Sequence, residues 1–594
     1  MDIKQAKELY QQLKTKREQY KPLWRDIAKY AGIRCNIDYD NNLANNTAAN
    51  QLDQYVDDPT SAMAIEQSSS YLNGIVCGND NKIWEYTPTE DIIREAGGIE
   101  LIGPYYKFVT QQIMRHLTNP ESGFVTSAAS YFYDDVAFGT AGVGLYKNPD
   151  YIQGRSQTAF IAKGYGVDNI AIDEGKNGLV EYIFINYNWC ANQIVREFAF
   201  VDGELVEEKL NRLPNKVVQA YRAGRNYEQF KIVHGVFPRE DYSPKLKGAR
   251  GTKYQGIWFT EDNNEGIFAN EDYSEFPIGV CRPIRIRGEI YGRSSGTMVL
   301  STIRTVDYVV GKLIEIIEKM GSPPMGIYNS SLFGDKVIDT SAEGLVVFNE
   351  AMQGNSSNPM FPLFDVKDPS GIINFIIPYL NEKISSAFKI DMLLDFNSKT
   401  QMTAAESSQR FVIRGQALAG VLSQQYNEFI YPLAKVAASH GMSMGLLGIS
   451  PQTDKGLASK LKESGLSDRL IPDAIWKAVQ EGRQWYDVKP NDRMINLVNT
   501  QKLETLIQFM NVIDMVARVY PQILMGVDFY KLISDVAKEQ NIDASVLIGE
   551  RQFKDLLKQQ ADTQAKMMQI QEIQAGAEAG KNVATAQATM RGAK

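Results

Sequence analysis

Apolar residues along this chain recur at two different periods, and the change of period divides it. Over the first thirty residues Ala6, Leu9, Tyr10, Leu13, Tyr20, Leu23, Ile27 and Tyr30 fall roughly three or four apart among charges. That spacing predicts one helix, stopped by Gly32. After an Asn-rich connector, "YDNNLANNTAANQ" (39–51), helical spacing returns near Thr60 to Val76 and near Tyr105 to Leu117, with turn formers between. From Gly142 to about Ile290 the pattern shortens to β-rich runs: "GVGLYKN", "GLVEYIFINYNW", "QFKIVHGVFPR", "GIWFTED" and "FPIGVCRPIRIRG". Aromatic and branched residues bounded by Gly, Asn and Pro predict an antiparallel sheet region set among helices, hence class α+β.

Helical spacing then resumes. Val299, Ile303, Val306, Val310, Leu313 and Ile317 form a stripe through Thr297 to Met320, opposite Arg304, Asp307, Gly311, Glu315 and Glu318. This predicts an amphipathic helix about 35 Å long. "GSPPMG" (321–326) ends it, and strand-like "MGIYNSS" and "GLVVFNE" follow in a Gly/Asn/Pro-rich stretch that reaches Pro369. Pro378 suits a first helical position, and Leu380, Ile384, Ala387 and Phe388 line one face of a returning helix that extends to about Leu394. Two long helices thus flank a small β-rich tip. A polar loop, "DFNSKTQM" (395–402), leads to "TAAE", where Thr403 and Glu406 make a capping box. The helix it opens is expected to run to about His440, kinked at Pro432 and stopped by Gly441. From Gln501 the chain is helical again, and its Ala/Gln-rich end has little to bury unless it packs beside copies of itself.

Composition narrows the function classes. The 594 residues exceed what one core usually supports, and 44% hydrophobic with 23% charged residues is ordinary globular composition. Cys35, Cys77, Cys190 and Cys281 lie far apart without a C-x-x-C pair, which predicts reduced thiols. The N-terminus lacks an apolar signal core, and runs such as "GIINFII" (371–377) are too short for a bilayer, so a soluble protein without a membrane partner is expected. A formal net charge of −8 removes the simplest case for tight nucleic-acid binding.

Four motifs carry candidate chemistry. "GRSSG" (292–296) spells the G-x-S-x-G of a hydrolase elbow around Ser294, with His440 and Asp391 or Asp395 as the only later partners. No βαβ repeat follows, no HGGG-type loop precedes, and His440 sits at the end of a helix, so a structural joint is the stronger reading. In that reading Gly288, Gly292 and Gly296 make a permissive bend. His116 and His234 have no metal-ligand spacing around them, and "GAEAGKN" (576–582) misses the P-loop by a spacer and a hydroxyl. Arg282, Arg285, Arg287 and Arg293 suit either phosphate or salt bridges between elements, and alternating arginines more often do the latter. No cofactor or metal is expected.

In order along the chain, "DDPTSAMAIEQSSSYLNGIV", "KIWEYTP", "FVTSAASYFYDDVAFGTAGVGLYKN", "GEIYGRSSG", the helix–tip–helix, the polar loop, "MTAAESSQRFVIRG" and "YNEFIYPLAKV" resemble the portal, or head-to-tail connector, proteins of short-tailed, T7-like bacteriophages. The similarity runs from about residue 5 to 570, and its specificity lies in the order. It implies a portal fold assembled as a homo-oligomeric ring of about twelve subunits around a double-stranded DNA channel. Residues 1–296 would form a wing, helical and then β-rich; 297–320 a first stem helix; 321–369 a clip; and 370–394 a second stem helix. Residues 395–402 would form a tunnel loop, 403–500 the long wing helix and its return, and 501–594 a crown with a C-terminal barrel. Implied partners are the terminase large subunit, head-tail adaptor or tail proteins, and major capsid and scaffolding proteins, at the portal vertex of a virion assembled in the bacterial cytoplasm. Lys383, Lys389, Asn397, Ser398, Lys399, Thr400 and Gln401 would line the channel, with Lys399, Lys383 and Lys389 the cations nearest DNA. Gly288, Gly292, Arg293, Gly296 and Arg304 would serve a subunit interface or hinge. A longer "VVFNEAMQGNSSNPMFP" tip and an extended β-rich middle depart from shorter relatives.

Overall fold

The first predicted helix is two helices, Ile3–Glu18 and Lys21–Tyr30. Pro22 explains the break: it offers no N–H to Glu18, and its ring crowds the Glu18 carbonyl, so the chain turns at Gln19 and Tyr20. Ala6, Tyr10 and Leu13 of the first helix are buried against Ala171, Phe184, Val233, Phe237, Ile257 and Phe259. Each such side chain contributes roughly 1.5–3 kcal/mol by leaving water.

The computed structural model describes residues 3–31, 58–78, 82–201, 203–243, 249–261, 266–328, 345–348, 360–362, 369, 371–390, 418–449 and 469–491. All of them belong to one unit of the chain, 1–402 with 417–494. The tunnel-loop residues, the Thr403/Glu406 capping box, the crown and the 576–582 motif lie outside the described residues.

Among the described residues the β-rich middle forms two main antiparallel sheets and a short two-stranded ribbon, Phe200–Val201 with Glu204–Leu205. The larger has the order Ala269–Tyr273, Tyr254–Thr260, Gln229–Pro238, Val180–Cys190, Ile170–Glu174. Alternation separates its faces: Val233, Ile257 and Phe259 meet the first helix, whereas Ile232 and Trp258 meet the helices Ala191–Ala199 and Asn215–Arg222. The smaller sheet has the order Ile278–Cys281, Ala141–Lys147, Phe160–Tyr165. Trp84–Pro88 pairs antiparallel with Tyr486–Pro490, tying the early chain to residues four hundred positions later. Helices and sheets are mixed, as the periods predicted.

Further helices differ from expectation. Ile99–Leu117 begins before Pro104, which sits inside it. Phe124–Phe138 is not picked out as a helix by its spacing: Phe124, Ala128, Tyr131, Phe132 and Asp135 are buried along it, but the exposed Val125 blurs the stripe. Tyr431–Ser443 runs past Gly441, which packs on Leu447, and ends before Gly445 at φ 73°. The kink at Pro432 is present as a π turn, Gln425–Ile430; proline has no N–H for the Glu428 carbonyl, and the widened turn absorbs the defect. A second π turn, Ile372–Ile376, precedes Pro378 in the same way.

Ser295–Gly321 is a helix of 27 residues, about 40 Å long. Met325–Tyr328 then pairs parallel with Leu345–Phe348 and antiparallel with Met360–Pro362. The returning helix, Ile377–Ala387, packs beside the first. It is interrupted at Phe388 and Lys389, where Lys389 takes a left-handed φ of 57°, and the expected end at Leu394 lies outside the described residues.

Candidate functional site

Ser294 is fully buried. Its Oγ donates to the Ala137 carbonyl at 2.7 Å and accepts the Thr297 N–H at 2.9 Å, while Thr297 Oγ1 accepts from the Ser294 N–H at 3.4 Å. These contacts cap the helix Ser295–Gly321 and leave no free nucleophile. No hydrogen bond among the described residues joins Ser294 to His440, which is itself buried in the Tyr431–Ser443 helix. The histidines are poor bases in this fold: burial pushes His234 and His440 down to about 4 and lowers His116. Among the described residues no group of three or more His, Cys, Asp or Glu side chains could hold a metal ion, and Cys77, Cys190 and Cys281 are free thiols.

The glycines before Ser294 serve close approach more than looseness. A Cβ on Gly292 would stand 2.3 Å from the Gly139 carbonyl, and one on Gly139 would stand 2.4 Å from the Arg293 backbone. The two segments therefore cross in backbone contact, fastened by the Gly292 N–H to Thr140 Oγ1 at 2.9 Å. Gly296 is buried 3.2 Å, by the same measure, from the Ala137 carbonyl, whereas Gly288 is open and needs glycine for its φ of 87°.

Beside this crossing lies a buried hub. Arg282 donates from its backbone N–H to Glu428 Oε2 at 2.9 Å and from Nη2 to Glu428 Oε1 at 2.7 Å and to the Gly178 carbonyl at 2.8 Å. Nη1 reaches Glu174, which also pairs with Arg285 at 3.0 Å. Burial alone would lower the guanidinium's pKa; its bonds and charge pairs with Glu428 and Glu174 outweigh that and raise it. Alongside, Gln425 accepts from the Tyr131 hydroxyl at 2.6 Å and donates to Asp135 at 2.7 Å. The π turn thus presents Gln425 and Glu428 to one interior, binding the Tyr431–Ser443 helix, the small sheet and the start of the long helix together. The reading of salt bridges between elements matches Arg282 and Arg285; Arg293 pairs locally with Glu289, and no such pair is seen for Arg287 among the described residues. Glu174 and Glu428 escaped the sequence reading because nothing local marks a carboxylate 146 positions from its arginine.

The long helix divides its stripe. Ile303, Val306 and Leu313 are buried within the chain, whereas Ile314 and Ile317 (54% exposed) and Met320 lie open. Tyr308 and Met298 are open too, and on the returning side so are Ile373, Phe375 (76% exposed), Ile376 and Tyr379. Isolated apolar side chains on a surface mean little, but this many along two adjoining helices make a patch that wants cover. Of the cations expected here, Lys383 lies exposed with Nζ 4.4 Å over the Tyr379 ring, and Lys389 is half-buried, its pKa lowered by that burial. Asn397, Ser398, Lys399, Thr400 and Gln401 lie outside the described residues. Arg293 pairs with Glu289 at 2.9 Å and Arg304 with Asp26, both within the one chain.

Compared with known families, residues 3–460 match the model described as bacteriophage head to tail connecting protein. The chain belongs to that family. This connector is also similar to the "Probable portal protein" of Bordetella phage BPP-1, 22% identical over 391 residues, a stretch that spans 65% of either chain. Among solved structures it overlaps a chain from the neck of an empty gene transfer agent (GTA) particle, computed with C6 symmetry, at 10% identity and a TM-score of 0.30, over 79% of this chain and 90% of that one. A chain from the virion of a native GTA particle overlaps at 12% identity and 0.24, over 70% and 94%. Overlaps that low carry no argument. No helix among the described residues is long and apolar enough to cross a membrane.

Proposed function

We propose that this connector is a portal protein: a ring of about twelve copies at one capsid vertex, closed by repeating a single heterologous contact. In this reading the ring conducts double-stranded DNA during packaging and ejection, and docks the terminase large subunit first and head-tail adaptor or tail proteins later. Major capsid and scaffolding proteins surround it, and it assembles in the host cytoplasm before residing in the virion. It is structural and performs no catalysis.

The observation that carries the reading is the exposed apolar face along Ser295–Gly321 and Ile373–Tyr379 in a chain of the connector family. A neighbouring copy of the same helix pair would cover it. The wing, stem, clip and tunnel-loop boundaries given above, with 501–594 as crown and barrel, are part of the proposal. So is a channel wall holding Lys383, Lys389 and 397–401, and an interface or hinge at Gly288, Gly292, Arg293, Gly296 and Arg304. A net charge of −8 suits a conduit, because a largely repulsive wall with a few cations lets phosphates slide where clustered arginines would hold them.

Lys399→Glu tests the conduit. The variant should assemble as wild type yet package or retain less DNA in an infection or packaging assay. Assembly with fully normal packaging would remove Lys399 from the wall. The hydrolase alternative has nothing to favour it, since Ser294 Oγ is spent on Ala137 and Thr297. A fluorophosphonate probe should leave the protein unlabelled, and labelling lost in Ser294→Ala would restore that alternative.

A further inference from the structure

Where the two antiparallel sheets meet, a cavity of about 340 Å³ opens, lined by Tyr146, Lys147, His234, Trp258, Glu271 and Tyr273 among others. The ring centroids of Tyr146, His234 and Tyr273 stand 6.5 Å apart in all three pairs. A point equidistant from the three lies about 3.8 Å from each, inside the reach of a cation over an aromatic face. Behind His234, Trp258 stacks face to face at 4.1 Å, which fixes the imidazole plane. Tyr146 is held from the other side by a hydroxyl chain, Tyr146 to Tyr165 at 3.0 Å and Tyr165 to Tyr187 at 2.8 Å. Gly256 keeps the floor clear, since a Cβ there would stand 2.8 Å from the Tyr273 ring and 3.1 Å from His234 Nε2.

The charges around this triangle favour a cation. Glu271 is aimed at it, bonded to Trp258 Nε1 at 3.1 Å and to the Tyr273 hydroxyl, with Oε2 3.5 Å from His234 Nε2. His234 is 1% exposed, and neither of its nitrogens has a hydrogen-bond partner among the described residues. Glu197 adds a second carboxylate to the lining, and Asp272 is spent on Arg239. The two lysines of the lining are placed otherwise: Lys163 Nζ rests 5.6 Å over Trp189, and Lys147 stands exposed where the cavity meets a larger groove.

We propose that Tyr146, His234 and Tyr273, with the Glu271 carboxylate, form an aromatic box for a primary alkylammonium group, supplied by a free amine or by a lysine side chain. The rings provide the negative faces and Glu271 the counter-charge. Lys147 competes for the box from its mouth.

The test is calorimetry on the full-length protein with n-butylammonium and N-acetyl-lysine amide, and n-butanol as the neutral isostere. Saturable binding of about one amine per chain is expected, with n-butanol silent. Glu271→Gln and Tyr146→Leu should each weaken it about tenfold, and Lys147→Met should leave it equal or tighter. Tighter binding of the lysine derivative than of butylammonium would assign the box to a side chain, and equal binding to a free amine. Absence of saturable heat with either amine, binding matched by n-butanol, or an affinity unmoved by Glu271→Gln would overturn the proposal. Glu271→Gln keeps the test open should Tyr146→Leu fail to fold.

Discussion

Arg282 decides more of this fold than any other single side chain described. It is fully buried, and a buried charge is tolerable only while its partners stand. Glu428→Ala, which strands that charge, should cost about 3–5 kcal/mol in chemical denaturation. Arg282→Met combined with Glu428→Leu should recover a large part of the loss. If Glu428→Ala unfolds at the wild-type midpoint, the hub is not what holds the elements together. The sequence marked Arg282, Arg285, Arg287 and Arg293 as salt-bridge formers more than phosphate ligands, and for Arg282 and Arg285 their type and crowding made that legible. Their partners were not, because a contact such as Arg282 to Glu428 exists only after folding. Asp134 shows the same limit: burial and then Asp168 push its pKa up to about 7, although nothing in "YDDVAF" sets it apart. A folded pKa above the unfolded value of about 3.9 means that the native state holds a proton the unfolded chain has lost. Its stabilising share is therefore whole at low pH and disappears as pH rises through about 7. His234 and His440, lowered to about 4, act oppositely and only below their unfolded value of about 6.5. As pH rises from about 4 to about 7 the melting temperature of wild type should fall relative to that of Asp134→Asn, the difference levelling off above about 7; equal slopes would contradict the assignment.

At the scale of elements, local chemistry was readable and its tertiary use was not. The stripe through 297–320 gave the long helix almost to the residue, and Ser294 capped it where the pattern began. The break at Pro22 was not expected, since amphipathic spacing continues on both sides of it. Gly441 was overvalued as a stop, because glycine also serves contact, here with Leu447. The two kinds of glycine separate by substitution. Gly292→Ala forces a Cβ into the Gly139 carbonyl and should cost about 3 kcal/mol or more. Gly288→Ala meets open space and should cost only the left-handed backbone penalty of about 1–2 kcal/mol. Thermal unfolding of the pair checks this, and equal costs would mean that the crossing is loose.

Across the whole molecule, the helix pair is the feature one chain leaves unfinished. Its inner stripe is consumed by the sheet-bearing body, while Ile314, Ile317, Met320, Phe375 and Tyr379 stay wet. Order along the sequence pointed to the connector family, and no single motif would have done so, since each is short and degenerate. The charge balance and the Ala/Gln-rich tail were legible as wants, for a weakly gripping surface and for partners, without naming what meets them. The most direct measurement is negative-stain imaging of the purified full-length protein beside Ile317→Ser/Phe375→Ser. The account predicts closed rings with a central hole for wild type, and separate folded chains for the double variant. Wild-type protein that stays monomeric at every concentration, or rings that form equally well without those two side chains, would contradict it.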